Sequence, residues 1–194
     1  MESASCSKFK WRLLLGKSEN LRGGRPSAVV LSKEMTMPSP RVEELIGKLE
    51  KGSRKTNEIF GKLTPEQWQR VVYDEPPAWT WRDLLAHFVS AEGRLLELTQ
   101  DVAAGGAGAP EDFDFDAFNA EEQARLSDQS PQYLLHALNA ARQTTLDWVR
   151  ALNDAQLDRV GRHPVLGDVS LEAMLVAIYG HQLFHMREVQ AKLI

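Results

Sequence analysis

Near its C-terminus the chain reads MLVAIYGHQLFHMREV, residues 174–189, and two of these residues have the chemistry and spacing of metal ligands. His181 and His185 are four positions apart, so a helix stacks them one turn apart on one face. That face is the apolar one: Leu171, Met174, Ile178, His181, His185 and then Glu188 or Val189 fall on a single stripe. An imidazole is costly to bury unsatisfied, and two stacked imidazoles repel if both are protonated. A divalent metal removes both difficulties, because it accepts both lone pairs and holds the rings neutral. The plainer alternative is a pair of partly buried histidines bonded to backbone or to carboxylates.

A zinc-protease helix would carry Glu directly after the first histidine as general base. Here that residue is Gln182, which cannot take a proton, so the protease reading fails. Catalytic zinc usually has three protein ligands and one open position. A third ligand must then come from another helix. His87 is the inward candidate, on a stripe of Leu84, His87/Phe88, Ala91 and Leu95. His136 falls off the seam of its helix, and His163 lies in a loop before Pro164.

Three nitrogen ligands suit zinc first and also accommodate Ni, Fe or Mn. Such an ion lowers the pKa of bound water toward ~7 and deprotonates a bound thiol outright. Asp83, one turn before His87, and Glu188, one turn after His185, are candidates to orient the ligands from behind. Asp83 also sits where a helix cap belongs, and Glu188 is equally compatible with solvent. Trp79, Trp81, Phe88 and Tyr179 are candidates to line an apolar pocket or, alternatively, core residues.

Four long helices would have to position these side chains. The first runs from about Arg41 to Gly61, with Val42, Leu45, Ile46, Leu49, Ile59, Phe60 and Leu63 on its buried face. TPEQWQRV follows as a short helix, with Thr64 as N-cap, Pro65 at N1 and Gln67 at N3. YDEPPAW reads as a loop. Thr80 caps the second long helix, which has Asp83 at N3 and extends to about Ala104. GGAGAPEDFDFDAF is a flexible, then acidic connection, with a short helix near AFNAEEQARL. The third long helix spans about Pro131 to Leu152. Its Leu134, Leu138, Ala141, Thr145, Trp148 and Leu152 follow the alternating spacing of a bundle seam. The fourth starts at the Ser170 cap. LTPEQWQRV…P…TWRDLLAHFV is also echoed by LNDAQLDRV…P…SLEAMLVAIYGH, which points to approximate internal symmetry. The fold class is all-α, a four-helix bundle with short connecting helices. The long connection over 103–130 permits a crossover between the second and third.

The domain reading is a bundle over 37–194 and an N-terminal extension over 1–36. That extension is read as disordered or as the product of a start placed too early, Met35 and Met37 lying just before the first helix. A targeting segment is the weaker alternative. Residues 1–34 carry seven Lys/Arg against three Asp/Glu, whereas residues 35–194 carry 16 against 24. The acidic main domain lacks the clustered cations that nucleic acid requires, so no nucleic-acid partner is expected. No run of about 18 or more apolar residues exists to span a membrane. The single cysteine, Cys6, cannot form an internal disulfide, which favours a reducing, cytoplasmic compartment.

PAWTWRDLLAHFVSAE resembles the Trp-(Ser/Thr)-x-x-(Asp/Glu)-Leu-x-x-His segment of the DinB-like superfamily, also known as YfiT-like metal-dependent hydrolases. LEAMLVAIYGHQLFHMREV is similar to the closing His-x-x-x-His helix of that family. FDFDAFNAEEQARLSDQSPQYLLHAL and GRHPVLGDVSLEAML resemble its central region, near the metal-binding domain of mycothiol-dependent maleylpyruvate isomerase. The resemblance covers about residues 40–194. It implies a down-up-up-down bundle with a divalent metal at one end of the interior, and it places the histidine triad on His87, His181 and His185. The family often has Glu where this chain has Gln182, which questions an acid/base partner and not the metal. No thiol-transferase domain follows Ile194, so the full isomerase reaction is not expected.

The expected function is a metal-dependent hydrolase or low-molecular-weight-thiol S-transferase acting on a small molecule. The alternative is a non-catalytic stress or detoxification module that binds metal or a small hydrophobic ligand. A weaker third reading is a metal-free structural bundle that forms a homodimer through exposed helix faces.

Overall fold

The computed structural model describes residues 37–190, and the expectations for the N-terminal extension, Cys6 included, lie outside them. The long helices are α1 (Pro40–Phe60), α3 (Trp81–Ala104), α5 (Pro131–Val149) and α7 (Leu171–Val189). Each opens where a hydroxyl side chain replaces a missing intrahelical acceptor. Ser39, Thr80, Ser130 and Ser170 accept from the backbone N–H groups of Val42, Asp83, Tyr133 and Ala173. α1 packs against α5 and α7, and α3 packs against the same two helices. Around the bundle the order is therefore α1, α5, α3, α7. Helices consecutive in the chain face each other across a diagonal at α1/α3 and at α5/α7. At Gly52 a side chain would press on Tyr179 Cβ at 3.0 Å, so α1 and α7 approach closely there.

The internal echo is structural. One half contains α2 (Pro65–Trp68), then β1 (Val71–Tyr73) paired antiparallel with β2 (Trp79–Thr80), and then α3. The other contains α6 (Asp154–Leu157), β3 (Val160–His163) paired antiparallel with β4 (Gly167–Ser170), and then α7. Both short helices open with a reciprocal capping box, Thr64 with Gln67 and Asn153 with Gln156. In both halves the second strand runs directly into the N-cap of a histidine-bearing helix. The expected loop at YDEPPAW is thus the turn of a small hairpin. Its strands are too short to show the two-residue alternation that marks a strand in sequence.

The crossover between α3 and α5 leaves α3 at Gly105, in a left-handed conformation at φ 98°. It then carries α4 (Phe115–Arg125), none of whose residues is fully buried. Arg82 fastens its far end, donating to the carbonyls of Leu126, Ser127 and Gln129. Gln123 Nε2 bonds the Asp83 carbonyl at 2.8 Å.

Two apolar clusters fill the bundle. One includes Leu45, Leu49, Leu98, Val102, Leu146, Val149, Met174 and Ile178. The other includes Phe60, Trp81, Leu84, Phe88, Leu134, Leu138, Met186 and Val189. On every long helix a buried polar residue lies between the two in sequence: Thr56, Glu92, Arg142 and Gln182. Arg142 grips Glu92 through two hydrogen bonds of 2.6 and 2.7 Å and donates to the Leu49 carbonyl at 2.7 Å. Thr145 and Gln182 also donate to Glu92, at 3.1 and 3.0 Å, and Thr56 donates to Gln182 at 3.3 Å. No helix among the described residues is long and apolar enough to cross a membrane.

His163, at the end of β3, is 3 % exposed. Its Nδ1 accepts from the backbone N–H groups of Val165 and Leu166 at 3.1 and 3.2 Å, while Nε2 is buried without a partner among the described residues. Burial pushes its pKa down to about 4. The unfolded chain takes up this proton near pH 6.5 and the folded chain does not. Stability is therefore complete above pH 6.5 and falls as pH drops toward 4, by about 3 kcal/mol from this residue. His163→Asn keeps an acceptor for the turn but does not titrate. Urea denaturation at pH 7.5 and 4.5 should show the variant losing distinctly less stability than the wild type. An equal loss in both would refute the assignment.

Candidate metal centre

α3 contributes His87 and α7 contributes His181 and His185, on the two faces where these helices meet. All three are buried, at 7 %, 7 % and 5 % exposure. One ring nitrogen from each lies within 4.8 Å of the others. His87 Nε2 and His181 Nε2 are 2.9 Å apart. In a tetrahedral site with Zn–N bonds of about 2.0–2.1 Å, two ligand nitrogens stand about 3.3 Å apart, so this pair is close to the spacing one ion imposes. The rings meet edge to face, with centroids 4.8 Å apart for His87/His181 and for His181/His185.

Burial sets the protonation state. Desolvation pushes His87 down to about 4, partly opposed by the Asn119 side chain on α4. His181 falls well below its ordinary range, first through burial and then through its neighbours His185, His87 and His163. His185 is lowered by burial and by His87. At neutral pH all three rings present lone pairs and no positive charge, as a cation requires. His87 Nδ1 is buried without a geometrically sound hydrogen bond among the described residues. The nitrogen that faces the cluster is Nε2, and three neutral imidazoles converging with one nitrogen each within 4.8 Å fit a divalent transition metal.

The surroundings divide the other sequence candidates. Trp79 packs on His87 at 5.0 Å between centroids, and Phe88 lies 5.8 and 5.9 Å from His181 and His185. Trp81 instead enters the core against Phe60, and Tyr179 packs on α1 at Gly52. Asp83 closes the N-terminus of α3, accepting from the Thr80 backbone and hydroxyl and pairing with Arg82 at 3.0 Å. None of these bonds reaches His87. Val189, not Glu188, continues the buried stripe of α7. Glu188 is nevertheless connected to the site: Tyr73 Oη lies 3.0 Å from a Glu188 carboxylate oxygen and 2.7 Å from His185 Nδ1. Tyr73 sits on β1, a segment too short to show strand alternation, and was not visible as a site residue. Gln182 points away from the histidines into the Glu92–Arg142 layer. His136 is exposed on α5.

Fold and cluster together define a four-helix-bundle protein with a buried three-histidine site between two of its helices. The chain belongs to the DinB superfamily, whose family model matches residues 48–189 and so takes in all three histidines. Among solved structures it is similar to YfiT from Bacillus subtilis, described as a probable metal-dependent hydrolase with an unusual four-helix bundle topology. The TM-score is 0.64 at 19 % identity, over 87 % of this chain and 91 % of that one. Mycothiol-dependent maleylpyruvate isomerase matches with TM-score 0.63 and 17 % identity over 76 % of this chain, which spans 60 % of the isomerase's length. The colibactin self-resistance protein ClbS, solved in complex with double-stranded DNA, gives 0.56 and 13 % over 77 % of this chain and 94 % of that one. No curated protein matches the chain by sequence.

Proposed function

We propose that the protein holds one divalent transition metal at His87, His181 and His185 and uses it on a small molecule, as a hydrolase or a low-molecular-weight-thiol S-transferase. The observation that carries this reading is the convergence of three neutral imidazole nitrogens within 4.8 Å in the bundle interior. Zinc suits the set first, with Ni, Fe or Mn as alternatives. A bound ion of this kind supplies Lewis acidity, making water or a thiol nucleophilic near neutral pH. The chain's own residues hold and shield that chemistry. The histidines offer lone pairs that need not first lose a proton, and Trp79 and Phe88 wall the site with apolar surface. Gln182, turned into the bundle, supplies no base. A small-molecule partner in a reducing, cytoplasmic compartment accords with the acidic domain and the single cysteine. The acidic charge also disfavours carrying over the DNA seen with ClbS.

The near closure of the site favours one alternative, a stress or detoxification module that binds metal or a small hydrophobic ligand without turnover. Elemental analysis of protein purified without a histidine tag tests both. About one transition-metal ion per chain is expected, with loss in His181→Ala. Fewer than about half an equivalent, unchanged by that substitution, would overturn metal binding in either form. Loss of ester-hydrolysis or thiol-transfer turnover in His87→Ala separates enzyme from binding module.

A further inference from the structure

The β1–β2 hairpin touches two of the three histidines, Trp79 lying on His87 and Tyr73 bonding His185. The second contact fixes a proton. Tyr73 Oη is within hydrogen-bond distance of both His185 Nδ1, at 2.7 Å, and Glu188, at 3.0 Å. A phenol has one proton and an ionised carboxylate only accepts, so the Tyr73 hydroxyl donates to Glu188. The phenol oxygen can then engage Nδ1 only as an acceptor, which requires the hydrogen of His185 to be on Nδ1. A neutral imidazole carries one N–H, so Nε2 is left with the lone pair. If Tyr73 donated to Nδ1 instead, its oxygen would face the Glu188 oxygen with no proton between them.

We propose that Tyr73 is the positioning residue of the site: backed by Glu188, it locks His185 in the Nδ1–H tautomer, so that Nε2 is the nitrogen presented to a metal shared with His87 and His181. The inference rests on the metal reading for its purpose, not for its geometry. Ligating histidines commonly donate their second N–H to a carboxylate or carbonyl, which fixes ring orientation and raises ligand basicity. Here a phenol stands between imidazole and carboxylate. Glu188 can therefore remain exposed on the last turn of α7 while its charge is felt at a buried ring. The hairpin also becomes part of the site, because it delivers Tyr73 to α7 and then runs directly into the helix that carries His87.

The test uses the full chain and two readouts. Long-range proton–nitrogen correlation spectra of the metal-free protein report which His185 nitrogen bears hydrogen. Cobalt(II) titration followed by visible absorption reports affinity. The wild type should show His185 as the Nδ1–H tautomer. Tyr73→Phe, which keeps the ring, should lose that preference and bind Co²⁺ about 10- to 100-fold more weakly, with circular dichroism unchanged. Glu188→Ala, at an exposed position, should weaken Co²⁺ in the same direction by a smaller factor. A wild-type Nε2–H tautomer, or Co²⁺ affinity within about twofold of wild type in both variants, overturns the proposal. A wild type that takes up no Co²⁺ refutes the metal reading instead, and the tautomer spectra then still decide whether Tyr73 positions His185.

Discussion

Arg142→Ala is expected to lower the stability of the protein by about 3–5 kcal/mol, because it strands a buried carboxylate. The side chains of Arg142 and Glu92 are 3 % and 0 % exposed, and their pairing is bidentate. Removing the guanidinium leaves Glu92, among the described residues, with Thr145 and Gln182 as donors and leaves the Leu49 carbonyl without its Arg142 bond. In a domain of this size each kcal/mol is worth about 2–4 °C, so the melting temperature should fall by about 10 °C. The double variant Glu92→Leu/Arg142→Met removes both charges at similar volume and should recover most of the loss. Thermal denaturation followed by circular dichroism reads both. A single-variant loss below about 1 kcal/mol would show that water or rearrangement compensates Glu92.

The same layer explains Gln182. Its amide donates to Glu92 at 3.0 Å and accepts from Thr56 at 3.3 Å, so it joins α1, α3 and α7 in one network. A glutamate there would set a second carboxylate against Glu92. The residue beside His181 thus answers to the ion pair behind it rather than to the histidine cluster in front. Its neutrality is a packing requirement of this particular core.

How far such features can be read from sequence depends on whether their cause is local. The long helices were legible because seam spacing and caps are properties of neighbouring residues: Thr80 and Ser170 each precede an apolar stripe and mark a start. His87, His181 and His185 were legible as seam residues because an imidazole among leucines stands out. Arg142 and Glu92 were not. A charged residue on a helix reads as solvent-facing until its partner is known, and the partner here is 50 positions away on another helix. Tyr73 was hidden for a different reason. Its strand has three residues and its partner strand two, and only the fold brings it to His185, 112 residues later. The choice between Val189 and Glu188 needed the direction of α7 against its neighbours, which spacing alone left open.

The histidine cluster should behave in the opposite sense to the ion pair. His181→Leu is expected to leave the metal-free protein as stable as the wild type or more so, while abolishing its response to metal. Without a cation the three buried imidazoles keep one hydrogen bond between His87 and His181 and one from His185 to Tyr73, while the outer nitrogen of His87 has no satisfactory partner among the described residues. Leucine fills similar space and removes one polar ring from a position against Phe88. With zinc at about a thousand times its dissociation constant, the wild type gains about 4 kcal/mol because only the folded chain assembles the site. That corresponds to a rise of about 8–16 °C, reversed by a chelator. His181→Leu should show none of it. Were the leucine variant to keep the rise, the ion would be binding elsewhere. Were it to unfold without metal, the imidazole would be a structural element of the core rather than a ligand held at some cost to stability, as binding residues often are.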